Sequence, residues 1–506
     1  QNRFGSPPKR WQIDDRHPWI VRDPDKCIKC ARCIRVCIEV QGIGAWGYVG
    51  RGLGMQVAPP FDGPLQDTDC ETCGQCLTAC PTGALVARRA AVRVPAPSAP
   101  TETTCGRCGD GCRVAVRTAG NLIDSVRPAD DENLCEKGRF GCGGLSSGER
   151  ILSPFLGRGA SSRPAAWREA AEAARAGLGG VEPRRIAVFV SPRITNEEAF
   201  EAQRLARAVL NTNNLYPAAG AIFTPQLFRE LGRVVSPWGP VEIEKSDAIA
   251  VVGASLVDSN RVAALSVVAA RRRAARIIVV GREQTKLDRI AAENVRVPPD
   301  RFAAYGARLA SLFRGAKRPA IVFTRDALPA ATLRALHRLA ARTGAGIVSL
   351  CAEANGQGLL DAGVSPFVLP GQRPIAAPRA RRLVERESGI RVPPRPGMGR
   401  AALLAAMRRG RIRAALFLGG AVPDEDRELA KALRGVPFVL MQALERSPLT
   451  RRAHLLLPAA SWAESRGTFT RCDGTALPVR PVLPPLCGYT NAEIWRLLFA
   501  HAPAAG

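Results

Sequence analysis

The amino-acid sequence predicts an α/β fold, in which a cysteine-rich N-terminal part precedes doubly wound parallel sheets. Thirteen of the sixteen cysteines lie before residue 143. From about residue 180 onward, apolar runs typical of strands alternate with helical patterns, which indicates parallel sheets covered by helices. A chain of 506 residues exceeds one ordinary core and indicates several domains. It contains no apolar run of the roughly 20 residues that cross a membrane as a helix.

The first predicted element is a pair of cysteine runs, CIKCARCIRVC at 27–37 and CETCGQCLTACP at 70–81. The spacing C-x2-C-x2-C-x3-C is the bacterial ferredoxin signature, in which three cysteines hold one [4Fe–4S] cluster and the fourth reaches the neighbouring cluster. Zinc sites are the alternative, but zinc ribbons usually have two separated C-x2-C pairs. We therefore predict two clusters with crossed ligands. One set is Cys27, Cys30, Cys33 and Cys80, and the other is Cys70, Cys73, Cys76 and Cys37.

A third group of cysteines follows a Pro- and Ala-rich linker at roughly 88–104. Three of them are closely spaced, and a fourth lies further on within LCEKGRFG. The segment between them predicts two short strands that turn at Gly120-Asn121, which would bring the fourth thiolate back to the others. A zinc site stays open as the alternative on this spacing. We predict a third [4Fe–4S] cluster, with the ligands Cys105, Cys108, Cys112 and Cys135.

The rest of the sequence predicts the doubly wound α/β region. An apolar strand at 186–191 precedes a helix that opens at Thr195, where Thr195 and Glu198 have the capping-box spacing. Cys351 ends a later apolar strand and is predicted to belong to the core, and Cys142 is predicted to be a packed thiol that binds no metal. Further strands are predicted at AIAVVGAS (248–255), RIIVVGRE, AIVFT, IVSLC (347–351), AALFLGG (414–420) and FVLMQAL.

Several stretches resemble the large iron–sulfur subunit (the G-type subunit) of NADH-quinone oxidoreductases and the α subunit of NAD-linked formate dehydrogenases, both in the molybdopterin oxidoreductase superfamily. They are IVRDPDKCIKCARCIRVCIEVQGIGAWGYVGRG, LCEKGRFG, SPRITNEEAFEAQRLARAVLNTNNL, ANGQGLLDAGVSPFVLPGQRP and LLLPAASWAESRGTFTRCDGTALPVRP. We therefore divide the chain into a bacterial-type 2[4Fe–4S] ferredoxin-like domain and a small [4Fe–4S] domain, followed by α/β domains of the molybdopterin oxidoreductase type. The predicted boundaries are 1–94, 102–156, 157–397 and, for the region that completes the scaffold, 398–506.

The resemblance implies electron transfer, and we do not expect this chain to be catalytic. It implies a partner flavoprotein that carries FMN and iron–sulfur clusters and reacts with NAD(H), and a further redox subunit. Additional [2Fe–2S] and [4Fe–4S] clusters are expected only if a segment precedes Gln1 in the native chain. Lys137 matches a lysine that catalytic relatives place between a cluster and the pterin. We expect its charge to stabilise the reduced third cluster in this chain.

Catalytic members of the resembled family hold a molybdenum or tungsten bis-pterin cofactor, which we do not expect in this chain. Active formate dehydrogenases place a Cys or selenocysteine followed by His shortly after the segment matching 210–215, and YPAAGAIFTPQLFRELGRVV contains neither. The family's pterin motif G-x-N-P-x-E reads GASLVDSN here, and the further domain that closes over the pterins is not recognised after GTFTRCDG. The sequence contains no glycine-rich phosphate-binding motif in the context that would predict NAD binding by this chain. A catalytic formate dehydrogenase α subunit that binds Mo or W is the alternative.

The formal charge of +27, from 72 basic and 45 acidic residues, makes nucleic-acid binding a second alternative. The arginines are scattered, with short runs at 271–273 and 381–382 that are typical of solvated helix faces, so we expect acidic partner subunits and no nucleic acid. Cysteines concentrated in one part of a large chain indicate metal ligation in a reducing compartment, and we expect a cytoplasmic location. The histidines form no cluster in the sequence; they are His17, His337, His454 and His501.

Overall fold

The computed structural model describes both the cysteine-rich part and the α/β region. It describes residues 11–88, 98–130, 133–146, 149–219, 223–253, 255–298, 301–302, 305–420, 424 and 426–499. Part of the predicted linker, His501, residues 220–222 within YPAAGAIFTPQLFRELGRVV and residue 254 within GASLVDSN lie outside these residues. Within the described ranges, no helix is both long and apolar enough to cross a membrane.

The N-terminal part consists of short elements around the first two cysteine runs. Two antiparallel pairs, β1 with β4 and β2 with β3, form its sheets. Its helices are about one turn long, and a π-helical turn at Val36–Val40 continues the first helix. The elements are β1 (Ile20–Arg22), α1 (Arg32–Arg35), β2 (Gly47–Val49), β3 (Gln56–Ala58), α2 (Gln75–Ala79) and β4 (Leu85–Ala87).

The third cysteine group is built on a three-stranded antiparallel sheet with the order β5-β6-β7. The predicted hairpin is confirmed, because its strands turn at Gly120, whose φ of 61° is the left-handed conformation that glycine adopts easily. The elements are β5 (Thr101–Thr104), β6 (Arg113–Ala119), β7 (Leu122–Pro128) and α3 (Glu136–Arg139).

The α/β region supplies the remaining strands. The strands predicted from apolar runs are confirmed, and the structure adds short strands at the edges of the sheets. They are β8 (Phe155–Leu156), β9 (Arg163–Pro164), β10 (Ile186–Val190), β11 (Leu215–Pro217), β12 (Ala248–Val252), β13 (Arg276–Gly281), β14 (Glu293–Arg296), β15 (Pro319–Thr324), β16 (Gly346–Leu350), β17 (Val368–Leu369), β18 (Arg373–Pro374), β19 (Ala414–Gly420), β20 (Phe438–Ala443), β21 (Leu455–Pro458), β22 (Gly467–Thr470) and β23 (Ala476–Val479).

Helices connect these strands. The predicted capping box is confirmed, since Thr195 accepts a hydrogen bond from the backbone N–H of Glu198 and the Glu198 side chain accepts one from the N–H of Thr195. The helices are α4 (Trp167–Leu178), α5 (Asn196–Arg204), α6 (Pro225–Leu231), α7 (Pro240–Glu244), α8 (Leu256–Ser259), α9 (Arg261–Arg272), α10 (Gly306–Leu312), α11 (Ala330–Thr343), α12 (Gly356–Asp361), α13 (Pro378–Ser388), α14 (Arg400–Arg408), α15 (Arg427–Ala432) and α16 (Asn491–Phe499).

Two large sheets organise this region. The seven-stranded sheet has the order β11-β10-β19-β20-β21-β8-β9, with β11 to β21 parallel and β8 and β9 antiparallel at one edge. The five-stranded sheet, β14-β13-β12-β15-β16, is parallel throughout. The chain therefore starts one sheet, builds the other as an insertion, and returns to complete the first. The predicted regions 157–397 and 398–506 share the seven-stranded sheet.

Both sheets are buried on both faces, which explains why their strands are continuously apolar. On β12, Ala248, Ala250 and Val252 belong to the core on one face, and Ile249 and Val251 to the core on the other. The strands of the seven-stranded sheet alternate in the same way between two further cores. The third cysteine group packs against these layers.

Candidate metal centres

The structure brings the first predicted set of cysteines together around one cavity. Cys27, Cys30, Cys33 and Cys80 all line one cavity, although Cys80 comes from the other cysteine run. Burial, followed by the charges of Cys27, Cys80 and Cys30, raises the pKa of Cys33 to about 11. The rest of the lining is mostly apolar. Four thiols around a cavity with an apolar wall match the donor set of a cubane cluster.

The second set is grouped in the same crossed manner. Burial is the main cause that raises the pKa of Cys70 to about 11, and the charges of Cys73 and Cys37 add to it. Burial also raises the pKa of Cys76 well above its usual value, with contributions from Cys73, Cys70 and Cys37. Such mutual electrostatic effects require the thiols to be close together. Cys37, the last cysteine of the first run, is therefore close to the second set, and Cys33 of the first set also acts on Cys76.

The two runs share one local geometry. In each run, the backbone N–H two residues after the first cysteine donates to its sulfur, from Lys29 to Cys27 and from Thr72 to Cys70, both at 3.4 Å. The residues before and after the second cysteine of each run have left-handed backbone conformations, with φ values of 57° and 60° in the first run and 52° and 69° in the second. Such a conformation costs a residue other than glycine about 1 to 2 kcal/mol. Repeated strain at matching positions is typical of a loop that wraps a bound group.

Cys80 has a different electrostatic environment from the other thiols. Burial acts to raise its pKa, but hydrogen bonds from the backbone N–H groups of Leu85, Thr82 and Ala84 and from the Thr82 hydroxyl outweigh burial and lower the pKa. A sulfur surrounded by N–H donors is stabilised as a thiolate. Since a thiolate is the form that binds metal, this environment suits Cys80 as a cluster ligand.

The third set is more deeply buried than the first. Cys105, Cys108 and Cys112 are 5%, 8% and 8% exposed, and Cys135 immediately precedes helix α3. Burial raises the pKa of Cys112 well above its usual value, and the charges of Asp110, Cys108, Cys105 and Cys135 add to this effect. In the absence of metal such thiols stay protonated at neutral pH. Metal binding must therefore displace their protons.

The loop that carries the third set is held against the five-stranded sheet. The buried carboxylate of Asp110 accepts hydrogen bonds from the Asn260 side chain at 3.0 Å and from the backbone N–H of Val262 at 2.9 Å, at the start of α9. An added side chain at Gly106 would collide with Trp462, and one at Gly109 would collide with the backbone after β16. The glycines therefore permit a close approach that fixes the loop against the α/β region.

Trp462 provides a further test of whether a cluster fits the third set. Its indole lies against Gly106, next to Cys105, and it shares an apolar cluster with Cys105 and Cys112. The side chain is 3% exposed, and its Nε1–H group has no hydrogen-bond partner among the described residues. An unpaired buried donor is uncommon and costs about 1 to 3 kcal/mol. Sulfur atoms of a cluster held by Cys105 would supply the missing acceptor, so the residues present fit this group.

The structure also places Lys137 and the cysteines that were not predicted to bind metal. The Lys137 side chain is exposed, and its Nζ donates to the backbone carbonyl of Asp258 in α8 at 2.7 Å. Cys142 is 1% exposed and Cys351 is 2% exposed, as expected for packed thiols. All sixteen cysteines are in the described residues, and none forms a disulfide. Across the described ranges, no group of three or more His, Cys, Asp or Glu side chains is arranged to hold a single metal ion.

The sequence interpretation missed several residues that connect the cysteine sets. Arg139, in α3, reaches the second cysteine run, where its Nε donates to the carbonyl of Cys73 at 2.9 Å. Asn133 accepts hydrogen bonds from the side chains of Gln41, after the first cysteine run, and Gln75, within the second, at 3.1 and 2.9 Å. A signal exists for Arg139, which is four residues, or one helical turn, after Cys135. For Trp462 there is no local signal.

Two family profiles match the chain. The profile described as Molybdopterin oxidoreductase matches residues 150–490. The profile described as NADH-quinone oxidoreductase subunit 3, ferredoxin-like domain, matches residues 17–86 and so covers both cysteine runs. The third cysteine set lies between the two matched segments.

Individual relatives match almost the whole chain. It is 29% identical to a G-type subunit of NADH-quinone oxidoreductase, the one numbered 2, of Rhizobium meliloti, covering 96% of this chain and 63% of that protein. It is 25% identical to "NADPH-Fe(3+) oxidoreductase subunit alpha" of Geobacter sulfurreducens, covering 96% and 65%. The chain thus spans less than two thirds of the length of these relatives. Among solved structures, acetylene hydratase from Pelobacter acetylenicus has a similar fold, with a TM-score of 0.51, 15% identity, and coverage of 78% of this chain and 68% of that one.

Proposed function

This chain belongs to the molybdopterin oxidoreductase family and carries a ferredoxin-like N-terminal domain, and from this premise we propose that it is an electron-transfer subunit of an NAD(H)-linked oxidoreductase complex. In this proposal, single electrons pass through three [4Fe–4S] clusters between a flavoprotein partner with FMN and a further redox subunit. The names of the two relatives, each of which is one subunit of an oxidoreductase, support a multi-subunit setting.

The observation that carries the proposal is the grouping of twelve cysteines into three sets of four. The sets differ in exposure: Cys30 in the first set is exposed, whereas three members of the third set are buried against the α/β region. Cys76 of the second set interacts electrostatically with Cys33 of the first, and Arg139 connects the second set to the third. This order supports a relay from the protein surface to the interior.

Exposed apolar side chains support a docking surface on the N-terminal domain, which carries the first set. Of the thirteen large hydrophobic side chains exposed in the described residues, nine lie between residues 11 and 88. Ile28, between two ligands of the first set, is 65% exposed, and Leu53 is 76% exposed. Tyr48 donates its hydroxyl hydrogen to the carbonyl of Lys29 in the same loop at 2.9 Å. Exposed apolar side chains concentrated in one domain are typical of a protein interface.

The chain's own residues supply binding, orientation and exclusion of water. When bound, a [4Fe–4S] cluster accepts and releases one electron at a time. Cysteine sulfurs hold each cluster, and backbone N–H groups such as those of Lys29 and Thr72 stabilise negative charge on sulfur. Apolar residues around the cavity of the first set limit access of water and thereby lower the cost of charge rearrangement. No side chain is required as acid, base or nucleophile.

We assign no pterin to this function. The Asn260 amide, in the stretch that resembles the pterin motif, donates to Asp110 and to the carbonyl of Cys351 and accepts from Thr324. Lys137 is engaged by the backbone of α8. These contacts support our proposal that both residues stabilise the third cysteine set, with Lys137 contributing positive charge near the reduced cluster. We also propose a reducing, cytoplasmic location, because none of the cysteines forms a disulfide.

Metal analysis of the chain, purified without oxygen, tests the proposal. We expect about twelve irons per chain, since each cubane holds four, and no molybdenum or tungsten. Stoichiometric molybdenum or tungsten with formate oxidation would instead establish the catalytic alternative. Zinc in place of iron would exclude the relay.

A second experiment tests the docking surface. Leu53→Glu should weaken association with a flavoprotein partner that reduces the wild-type chain with NADH, because it places a charge in the apolar interface. Leu122→Glu, at a side chain that is 43% exposed outside residues 11–88, is the matched control and should leave association unchanged. If both variants weakened association equally, the exposed apolar surface of the N-terminal domain would not be the docking site.

A further inference from the structure

Arg139 occupies an unusual position between the second and third cysteine sets. Its helix, α3, directly follows Cys135 of the third set, but its guanidinium lies in the loop of the second set. There its Nε donates to the carbonyl of Cys73, and its Nη2 donates to Gln75 at 3.0 Å and to Thr78 at 3.2 Å. The residue is 9% exposed. The side chain therefore joins the two sets in a region shielded from water.

The charge of Arg139 has no acidic partner. Among the described residues, no carboxylate forms an ion pair with it, and the sulfurs of Cys73, Cys76 and Cys135, when ionised, favour its charged form. Burial lowers the pKa of Arg139, but a guanidinium remains protonated at neutral pH. A buried cation without a carboxylate is costly unless other negative charge compensates it. In the proposed relay, the thiolates of the two sets and the clusters that they would hold supply that charge.

The position of Arg139 is enforced by its surroundings. An added side chain at Gly74 would collide with Cδ and Nε of Arg139, so the second cysteine loop leaves space for this side chain. The next residue, Phe140, stacks on Trp19 with ring centroids 5.3 Å apart. These contacts hold α3 against the N-terminal domain and prevent the guanidinium from turning toward water.

Resting on the proposed relay, we propose that Arg139 is a shared electrostatic positioning residue that raises the reduction potentials of both the second and the third cluster. Each cluster gains one electron from its neighbour and no proton, so each reduction adds one negative charge to the buried region. A fixed positive charge between the clusters stabilises either reduced form. It also offsets the repulsion between them when both are reduced. The first cluster, held by Cys27, Cys30, Cys33 and Cys80, lies outside this influence.

The test is an EPR-monitored redox titration of the full-length chain with its clusters assembled. Arg139→Gln should make one-electron reduction of the second and third clusters about tenfold less favourable, which corresponds to about 59 mV, and should leave the first cluster unchanged. Arg127→Gln is the matched control. It removes the same charge from an exposed position on β7 that also acts electrostatically on Arg139, and it should have little effect because water screens it.

Arg139→Lys separates charge from hydrogen bonding. If charge matters, the Lys variant keeps both potentials near those of the wild type. Equal losses in the Lys and Gln variants would mean that the guanidinium acts only through its hydrogen bonds, which would overturn the inference, as would unchanged potentials in Arg139→Gln. If Arg139→Gln loses iron, the potentials of Arg139→Lys, compared with those of the wild type, decide whether charge is responsible. A wild-type chain without three EPR-active clusters would instead contradict the relay itself, so the two failures are distinguishable.

Discussion

Arg261 and Glu71 form an ion pair of 2.5 Å between helix α9 and the second cysteine run, with side-chain exposures of only 9% and 10%. Glu71 follows directly after Cys70, and Lys286 adds a second contact to it at 2.9 Å. One carboxylate thus receives two cations from the five-stranded-sheet region. This network attaches the N-terminal domain to the α/β scaffold at the site where the second cluster is predicted.

Glu71→Gln should loosen this attachment. Removing one partner of a buried pair leaves the other charge uncompensated and typically costs about 3 to 5 kcal/mol. We expect the N-terminal domain to unfold at lower temperature and to become more sensitive to proteolysis, as measured by calorimetry and limited digestion under anaerobic conditions. Asp69→Asn is the control in the same loop, because its pair with Arg289 at 2.8 Å is exposed and should contribute little. Equal effects of the two changes would contradict this account of the network.

Serine variants should reveal the crossed ligands. Cys80→Ser should alter the same EPR signal as Cys27→Ser, although Cys80 belongs to the other run. Cys37→Ser should pair in the same way with Cys70→Ser. Cys142→Ser should keep the full iron content, since Cys142 packs as a buried thiol whose sulfur donates to the carbonyl of Gly138. Pairing of Cys80 with Cys76 would mean that each run binds its own cluster.

Trp462→Phe should change the third cluster and leave the others alone. The substitution keeps the packed ring and removes the Nε1–H group, which lacks a partner within the described part of the chain. We expect reduction of the third cluster to become less favourable, because a donor to sulfur stabilises added negative charge. The metal-free chain should become slightly more stable, because an unpaired buried donor is lost. Unchanged EPR potentials would show that the indole does not face the cluster.

His17 should make the N-terminal domain sensitive to acid. Its Nδ1 accepts hydrogen bonds from the backbone N–H groups of Trp19 and Ile20, both at 3.1 Å, so the ring must have a free lone pair. Burial, followed by the charge of Arg88, lowers the pKa of His17 below its usual 6.5. Because the folded-state pKa is below the unfolded one, the stabilisation is present above about pH 6.5 and is lost as pH falls through the folded value.

His17→Asn tests this directly, since an amide oxygen can accept the same N–H groups without titrating. Thermal midpoints measured between pH 7.5 and 5 should fall less steeply for the variant. When the free energy of unfolding is plotted against pH, the slopes of the wild type and the variant should differ by at most about 1.4 kcal/mol per pH unit, the value for one proton. Parallel curves for the wild type and the variant would exclude His17 as the group responsible.

Much of the fold was predictable because its signals are local. Alternating strands and helices predicted the parallel sheets, and the Gly120 turn predicted the hairpin. The arrangement of the seven-stranded sheet was not predictable from these signals. Its strands β10 and β19 pair directly although the whole five-stranded sheet lies between them in sequence. Pairing over such a distance depends on packing of the complete core, which no local pattern reports.

The sequence by itself determined that each close triplet of cysteines shares one site, because three ligands within seven or eight residues wrap one small group; it predicted the fourth ligand of each set from the signature. Only the tertiary structure decided what surrounds them: Arg139 between two sets, Asp110 anchored at the start of α9, and Trp462 against Gly106. The physical reason is the range of the interactions. Ligand spacing acts within a turn of the chain, whereas buried charge and close packing act between segments that meet only after folding.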